Sequence, residues 1–254
     1  MNIFNIKNKT IVVIGGLGKV GLPIVKSLLN SGAKVIVGSK NPNKHKSKIS
    51  DNKFKGLLIY ELDVSDFSSC KEFMVKVLQK SNRVDTLINS FSYRPMVNFW
   101  ESDPNNWNES IRVNANGLYN ISKVVIDEMI KSNGGVILNI SSIYGMVGPN
   151  MNIYEGELIE TEPDYPFLKS GTVGFTKYIA SKFAKDKIRC NCLILGGVFN
   201  NQNKSFISKY SKHVPMGRMA NDDDIVGPVI FLSSDASSYI TGATLAVDGG
   251  WTSI

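Results

Sequence analysis

Apolar runs of strand length alternate with segments of helical periodicity along almost the whole chain. The runs lie at residues 10–14, 34–37, 57–62, 84–89, 135–140, 188–195 and 243–247. Because they are nearly all apolar, both faces of each strand should be covered, as in a parallel sheet between two layers of helices. The sequence therefore predicts the α/β class, with a doubly wound parallel sheet of about seven strands and helices on both faces.

Helical periodicity is clearest at about residues 20–29, 73–78, 107–131 and 165–184, whereas 90–105, 141–164 and 198–220 lack a clear period. Each aperiodic segment follows the carboxyl end of a predicted strand. Ligands of open α/β sheets bind outside those ends, so these segments are expected to form the walls of a substrate site. No repeat or linker interrupts the pattern, and a single domain over residues 1–254 is expected.

Composition narrows the classes of function open to this chain. Its 254 residues include 29 Lys and Arg against 22 Asp and Glu, a net charge of +7. This charge raises nucleic acid as a partner, but no binding motif or stripe of interleaved aromatic and basic residues accompanies it. No apolar run reaches the roughly 18 residues of a membrane helix, and the N-terminus lacks the apolar core of a secretory signal. We expect a cytoplasmic protein with a small-molecule substrate and no nucleic-acid or membrane partner.

The three cysteines are an odd and sparse set, which fits a reducing compartment rather than a disulfide framework. Cys190 and Cys192 lie in a predicted strand, and their spacing matches no common metal or redox motif, so both are expected to pack in the core. The two histidines, His45 and His213, have no ligand spacing, and no metal site is predicted.

The first predicted strand runs into a glycine-rich turn, IGGLGKVG, and then into a helix. Gly15, Gly18 and Gly21 would allow a tight turn, a close approach to a pyrophosphate and close packing of the helix. Together with Lys19 and Val20, they form the predicted cofactor-binding turn, at a helix N-terminus that favours an anion. The alternative is a structural turn without a ligand.

The end of the second strand bears on the choice between NAD and NADP. An acidic residue there would bind the ribose 2′-hydroxyl of NAD, but the sequence continues with Ser39 and Lys40. Ser39, Lys40 and Lys19 together suit a 2′-phosphate, which favours NADP(H) over NAD(H). The alternative is that Lys40 belongs to a solvated run of lysines that extends to Lys48.

Tyr165 and Lys169 open a predicted helix one turn apart, so their side chains share a face. A phenol is a poor acid–base group at neutral pH, but a nearby ammonium favours the phenolate and brings its pKa towards the working range. The pair therefore suits proton transfer with a substrate, although two such residues at this spacing also occur by chance.

Several further motifs occur in an order that resembles the short-chain dehydrogenase/reductase family over essentially the whole chain. They are Asp63-Val64 after the third strand, DTLINS from Asp85, NANGLY from Asn114, NISSIYG from Asn139 and the carboxyl segment PMGRMANDDDIVGPVIFLSSDASSYITGATLAVDGG. The resemblance implies a single Rossmann-type domain, a nicotinamide cofactor, and assembly as a homotetramer or homodimer.

The resemblance also implies roles for individual residues. Ser142 would hydrogen-bond the substrate carbonyl or hydroxyl, Tyr165 would exchange the proton, and Lys169 would hold the nicotinamide ribose and lower the pKa of the tyrosine. Asn114 would anchor a water that leads protons to Lys169. Ser142 is preferred to Ser141 because it fits the family's Ser-x-x-Gly pattern. The remaining implied cofactor contacts are Asp63, Val64, Asn89, Ser90, Gly196 and Val198.

The chain departs from the family pattern at several positions beside the cofactor. Phe91 and Ser92 replace an Ala-Gly pair, Lys19 replaces the middle glycine of the turn, and Leu195 replaces a proline after the sixth strand. None of these changes deletes a catalytic group.

A larger departure is the long interval between Ser142 and Tyr165, which holds an acidic insert at residues 154–164. Its Tyr-Glu-Gly start is similar to that of oxidoreductases from bacterial flagellin and nonulosonic-acid glycan clusters. The insert is expected to be either a solvated surface loop or a lid whose acids bind hydroxyl or amine groups of a sugar-like substrate.

These features predict an NAD(P)(H)-dependent oxidoreductase that interconverts a carbonyl and a secondary alcohol, on a sugar or sugar-derived substrate of surface glycan biosynthesis. A nucleotide-sugar epimerase or dehydratase is one alternative, suggested by the glycine spacing, although such enzymes usually carry an added substrate domain. A non-catalytic dinucleotide-binding sensor is the other alternative, favoured by the changes at Phe91, Lys19 and Leu195.

Overall fold

The computed structural model describes residues 2–44, 49, 54–156 and 161–254. Within these ranges one parallel sheet has the strand order β3-β2-β1-β4-β5-β6-β7. The strands are β1 (Thr10–Ile14), β2 (Lys34–Ser39), β3 (Leu58–Glu61), β4 (Thr86–Asn89), β5 (Gly135–Ser142), β6 (Ile188–Leu195) and β7 (Thr244–Val247). The predicted doubly wound parallel sheet is confirmed.

Alternate residues of the strands pack into two separate hydrophobic cores, one on each face of the sheet, which explains why the strands are apolar throughout. Ile11 and Val13 pack in one core, and Val12 and Ile14 pack in the other. Helices α1 (Gly21–Asn30) and α7 (Asp222–Ser233) cover the first core. Helices α2 (Phe67–Leu78), α4 (Gly117–Lys131) and α5 (Asp164–Phe183) cover the second.

Two helices differ from the sequence expectation. The predicted helix at 107–131 is divided into α3 (Pro104–Ile111), a π-helical segment (Arg112–Asn116) and α4. The segment 198–220, predicted to lack periodicity, contains α6 (Lys204–His213). This helix was missed because it is mainly polar and only Tyr210 in it is buried, so its apolar period is short. Short π-helical segments are frequent at functional sites.

The three cysteines are buried and free, and the predicted core packing of Cys190 and Cys192 is confirmed. Burial raises the pKa of Cys70 to about 12 and that of Cys192 to about 11, so both remain unreactive thiols at neutral pH. No group of three or more metal-ligating side chains occurs among the described residues, which do not include His45.

The strand order reverses between β1 and β4, which lie side by side at the centre of the sheet. Such a switch point leaves a crevice at the carboxyl ends of the strands. The segments after β1, β4, β5 and β6 converge on that crevice. None of the described helices has the length and apolar composition needed to cross a membrane.

Candidate active site

The glycine turn after β1 is closely packed against its surroundings. Gly15 has a φ of +76°, and a Cβ there would lie 2.7 Å from the backbone of Phe91. A Cβ at Gly21 would overlap the carbonyl oxygen of Gly15. The turn can therefore join β1 directly to α1 only because both positions are glycine. Phe91 itself packs against the core that α2, α4 and α5 cover, and its ring lies near Gly117 of α4.

The start of α1 is suited to an anionic ligand. No described side chain caps this helix, and its first turn carries no acid. The amide groups of a helix start attract anions, so the turn fits the diphosphate of a dinucleotide. The hydroxyl of Ser90, at the carboxyl end of β4, is buried without a hydrogen-bond partner among the described residues. It faces the same crevice, which also fits a polar ligand.

At the end of β2 the structure pairs the predicted phosphate-binding lysines with carboxylates. Lys40 Nζ lies 2.6 Å from Asp63, and Lys19 Nζ lies 3.0 Å from Asp222 at the start of α7. Partial burial raises the pKa of Asp63, but hydrogen bonds from Lys40 and Ser65 outweigh it and lower the pKa to about 2. Asp63 is therefore ionised at neutral pH and holds Lys40 beside Ser39.

A cavity of about 560 Å³ lies at the carboxyl ends of β5 and β6, and we call it the central cavity. The structure brings many of the residues singled out in the sequence to its wall. These are Val20, Ser90, Ser142, Tyr165, Lys169, Gly196 and Val198. The arrangement matches the location expected for a cofactor and substrate site in an open α/β sheet.

Tyr165 and Lys169 stand on the first turns of α5, and Lys169 Nζ is 5.4 Å from the centre of the Tyr165 ring. Lys169 Nζ donates to the backbone oxygen of Ile140, at 3.1 Å. Ser142 is the last residue of β5, and its hydroxyl accepts from the backbone N–H of Tyr144. Ser141 instead donates to the backbone oxygen of Lys169 at 2.8 Å, so it joins strand to helix. This geometry favours Ser142 over Ser141 as the hydroxyl offered to a substrate.

Asn114 lies in the π-helical segment and is held by several hydrogen bonds. Its Oδ1 accepts from the N–H of Tyr93 at 2.8 Å, and its Nδ2 donates to the backbone oxygens of Tyr93 and Ser110. It lines a smaller cavity of about 200 Å³ together with Tyr165 and Lys169. This smaller cavity lies behind the tyrosine and reaches the buried carboxylate of Asp164, which accepts from the Ser110 hydroxyl.

Two predicted cofactor residues turn their side chains into the protein. Asn89 Nδ2 donates to Asn139 Oδ1 at 2.9 Å, so the amide crosslinks β4 and β5. The Val64 side chain packs against Gly117. Neither residue lines the central cavity. Asn89 lines the smaller cavity instead, and the cofactor contacts of both residues stay predictions.

The acidic insert contributes to the central cavity through neutral side chains. Tyr154 and Thr161 line it, and their hydroxyls are 2.8 Å apart. The described acids of the insert, Glu155, Glu162 and Asp164, do not line the central cavity. Glu155 is exposed and near Lys209, whereas Glu162 and Asp164 are buried away from the central cavity. Glu157 and Glu160 lie outside the described residues.

Sequence reasoning missed an aromatic wall of the central cavity and one cation. The aromatic residues are Tyr144, Tyr154, Phe206 and Tyr210, and the cation is Arg94. Burial strongly raises the pKa of Tyr144, and its neutral hydroxyl lies 2.9 Å from that of Tyr154. Phe206 and Tyr210 are one helical turn apart and so share a face of α6. This spacing was not recognised in the sequence because most residues of α6 are polar.

Residues 18–252 match a family model described as enoyl-(acyl carrier protein) reductase, which is a model of short-chain dehydrogenases. The chain belongs to the short-chain dehydrogenase/reductase family. The predicted family is thus confirmed, and the protein is an NAD(P)-dependent oxidoreductase that interconverts carbonyl and alcohol groups.

Relatives within the short-chain dehydrogenase/reductase family cover nearly the whole chain. A 3-oxoacyl-(acyl-carrier-protein) reductase, FabG, of Chlamydia pneumoniae is 31% identical over 96% of this chain and 97% of its own. The post-translational flagellin modification protein A of Campylobacter coli is 30% identical over 97% of this chain and 99% of its own. The crystal structure of a short-chain dehydrogenase from Leptospira borgpetersenii with bound NAD+ has 32% identity and a TM-score of 0.89, covering 99% and 96% of the two chains.

Replacement of Lys40 by Met should raise the pKa of Asp63 from about 2 towards its ordinary value of 3.8, because the hydrogen bond and charge of Lys40 are lost. The ionised pair stabilises the fold above about pH 4, and this contribution is lost as the pH falls through the range 3.8 to 2. The stability difference between wild type and Lys40→Met should stay below about 1 kcal/mol, since Lys40 is largely exposed.

Carbon-detected NMR titration of the Asp63 carboxyl measures this shift directly. Lys34→Met, at the exposed start of the same strand, is the matched control and should leave the titration unchanged. An Asp63 pKa that is the same in Lys40→Met and wild type would contradict the assigned pair.

Proposed function

We propose that the protein reduces a ketone, or oxidises the corresponding secondary alcohol, on a sugar-derived substrate, with NADP(H) as its preferred cofactor. The observation that carries this proposal is the convergence of Ser142, Tyr165 and Lys169 on the central cavity. Tyr165 is the acid–base group, Ser142 binds the reacting oxygen, and Lys169 supports the tyrosine. The same chemistry runs in both directions.

A nicotinamide cofactor, when bound, supplies the hydride for reduction or accepts it for oxidation. In reduction, the Tyr165 hydroxyl donates its proton to the carbonyl oxygen while the Ser142 hydroxyl donates a hydrogen bond to that oxygen. The Lys169 ammonium stabilises the phenolate that remains on Tyr165. Asn114 lines the smaller cavity with Lys169, where it would hold a water that returns the proton.

A sugar-derived substrate suits the aromatic wall of the central cavity. Flat aromatic rings pack against the apolar C–H faces of a sugar ring, and the hydroxyls of Tyr144 and Tyr154 can exchange hydrogen bonds with its hydroxyl groups. The similarity to a flagellin modification protein supports this choice of substrate class, although that name describes only the relative.

The preference for NADP(H) rests on the end of β2. Ser39 occupies the place of the acid that would bind a ribose 2′-hydroxyl, and Lys40 is held beside it by Asp63. A 2′-phosphate would find the Ser39 hydroxyl and the Lys40 ammonium here, and it would share that ammonium with Asp63.

We further propose that the protein acts in the cytoplasm as a homotetramer or homodimer. Large exposed apolar side chains on α4 and α5 support self-association, among them Tyr119, Phe167 and Tyr178. Burial of these helices between subunits would also brace the smaller cavity behind Tyr165.

Replacement of Tyr165 by Phe should reduce kcat by about 100- to 10,000-fold, because the proton donor is lost while the ring remains. NADPH affinity should stay within about 3-fold of wild type, since the cofactor turn is untouched. NADPH oxidation at 340 nm and fluorescence titration measure the two quantities. Tyr178→Phe, an exposed position on the same helix, is the matched control. Retention of most of the rate in Tyr165→Phe would require another proton donor.

Replacement of Ser39 by Asp should raise the KM for NADPH at least 10-fold more than the KM for NADH, since the carboxylate repels a 2′-phosphate and accepts from a 2′-hydroxyl. Ser39→Asn has nearly the same size without the charge and should change the two KM values by similar factors. Steady-state kinetics with both cofactors tests this. Equal effects of Ser39→Asp on both cofactors would overturn the NADP(H) assignment.

A further inference from the structure

Arg94 lies in the segment after β4 and lines the central cavity beside the catalytic tyrosine. Its guanidinium carbon is 4.6 Å from the centre of the Tyr165 ring. This distance is within the range of a cation–π contact, which positions the guanidinium over the ring. The side chain is accessible from the cavity, and no ion pair joins it to any described acid.

The wall of the central cavity carries positive charge without a matching carboxylate. Its charged residues in the part of the chain that the structure describes are Arg94 and Lys169. Lys169 already donates to the oxygen of Ile140. The acids nearest in sequence point elsewhere, since Glu155 is near Lys209 and Asp164 accepts from Ser110 on the far side of Tyr165. An anionic ligand would therefore enter this cavity without repulsion from those acids.

The chemistry of a guanidinium defines what Arg94 can recognise. The N–H donors of a guanidinium lie in its own plane, so a contact of its carbon with a ring leaves donors to bind a ligand. The planar fork matches the two oxygens of a carboxylate or phosphate, and charge-assisted hydrogen bonds of this kind are strong. Because the fork lies over Tyr165, the bound anion would lie close to the carbonyl that Tyr165 protonates.

We propose that Arg94 binds an anionic oxygen group of the substrate, a carboxylate or a phosphate ester, and so selects keto acids or keto-sugar phosphates over neutral ketones. This inference rests on the proposed carbonyl reduction and narrows its substrate class. The aromatic wall would hold the sugar carbons, Ser142 and Tyr165 the reacting oxygen, and Arg94 the anion. The shared chemistry of the two anions is a pair of negatively charged oxygens.

Two matched pairs of ketones separate the carboxylate from the phosphate. The first pair is 2-ketogluconate and its methyl ester, and the second is fructose 6-phosphate and fructose. Each compound is titrated by calorimetry into the enzyme loaded with NADP+, which forms a complex that cannot turn over. The same compounds are then assayed with NADPH for kcat/KM. Wild type, Arg94→Ala, Arg94→Lys and the control Lys182→Ala are compared; Lys182 is an exposed cation on α5 outside the central cavity.

Wild type should bind the anionic member of at least one pair roughly 10- to 100-fold more tightly than the neutral member, the value of a charge-assisted hydrogen bond. Arg94→Ala should abolish that preference by weakening the binding of the anionic ketone alone. Arg94→Lys should keep part of the preference. Lys182→Ala should behave as wild type. The affinity for NADP+ should be the same in all four proteins.

Three results would overturn the assignment of Arg94. The first is a wild type that binds neither anion more tightly than its neutral partner. The second is an Arg94→Ala enzyme that keeps the preference, or one that loses affinity for neutral and anionic ketones equally. An equal loss would show that Arg94 acts only through Tyr165. The third is an Arg94→Ala enzyme that loses as much affinity for NADP+ as for the anionic ketone, which would assign Arg94 to the cofactor. Anion binding that depends on Arg94 but is followed by no NADPH oxidation would support the inference and contradict the proposed reduction.

Discussion

The junction between the end of β5 and the first turns of α5 is the contact on which the site depends. Ser141 donates to the backbone of Lys169, and Lys169 donates back to the backbone of Ile140. These two reciprocal bonds set the position of the helix along the strand. Ser142 follows Ser141 directly and Tyr165 lies one helical turn before Lys169, so their separation is determined by the same junction. A shift of α5 would displace the proton donor from the hydroxyl that holds the substrate oxygen.

Electrostatic pairing at the edges of the site leaves its centre positive. Lys40 is bonded to Asp63 and Lys19 to Asp222, while the carboxylate of Asp164 is buried against Ser110. Asp63, Asp222 and Asp164 thus have local partners, and Arg94 and Lys169 remain at the cavity wall. The two cations at the cavity wall attract negatively charged groups that enter the cavity.

Much of the fold and part of the candidate site could be predicted from local sequence. The apolar strands, the glycine turn and the Tyr165/Lys169 pair all have short-range patterns, so each was recognisable. The hydrogen bond from the Asn89 side chain to Asn139, which crosslinks two strands, could not be predicted because the two residues are distant in sequence. The cavity wall formed by Tyr154 and Phe206 was missed for the same reason, as their rings meet only when α6 folds over the insert.

The sequence alone determined the order of strands and helices, the glycine turn and the spacing of the acid–base pair, since hydrophobic period and backbone sterics act over a few residues. The tertiary structure alone decided which charges line the central cavity. Five acids in the insert suggested an acidic lid, yet those that are described are exposed or buried elsewhere, and the cation of Arg94 comes from a separate loop. Side-chain direction and the meeting of distant loops depend on packing across the whole sheet, which no local pattern specifies.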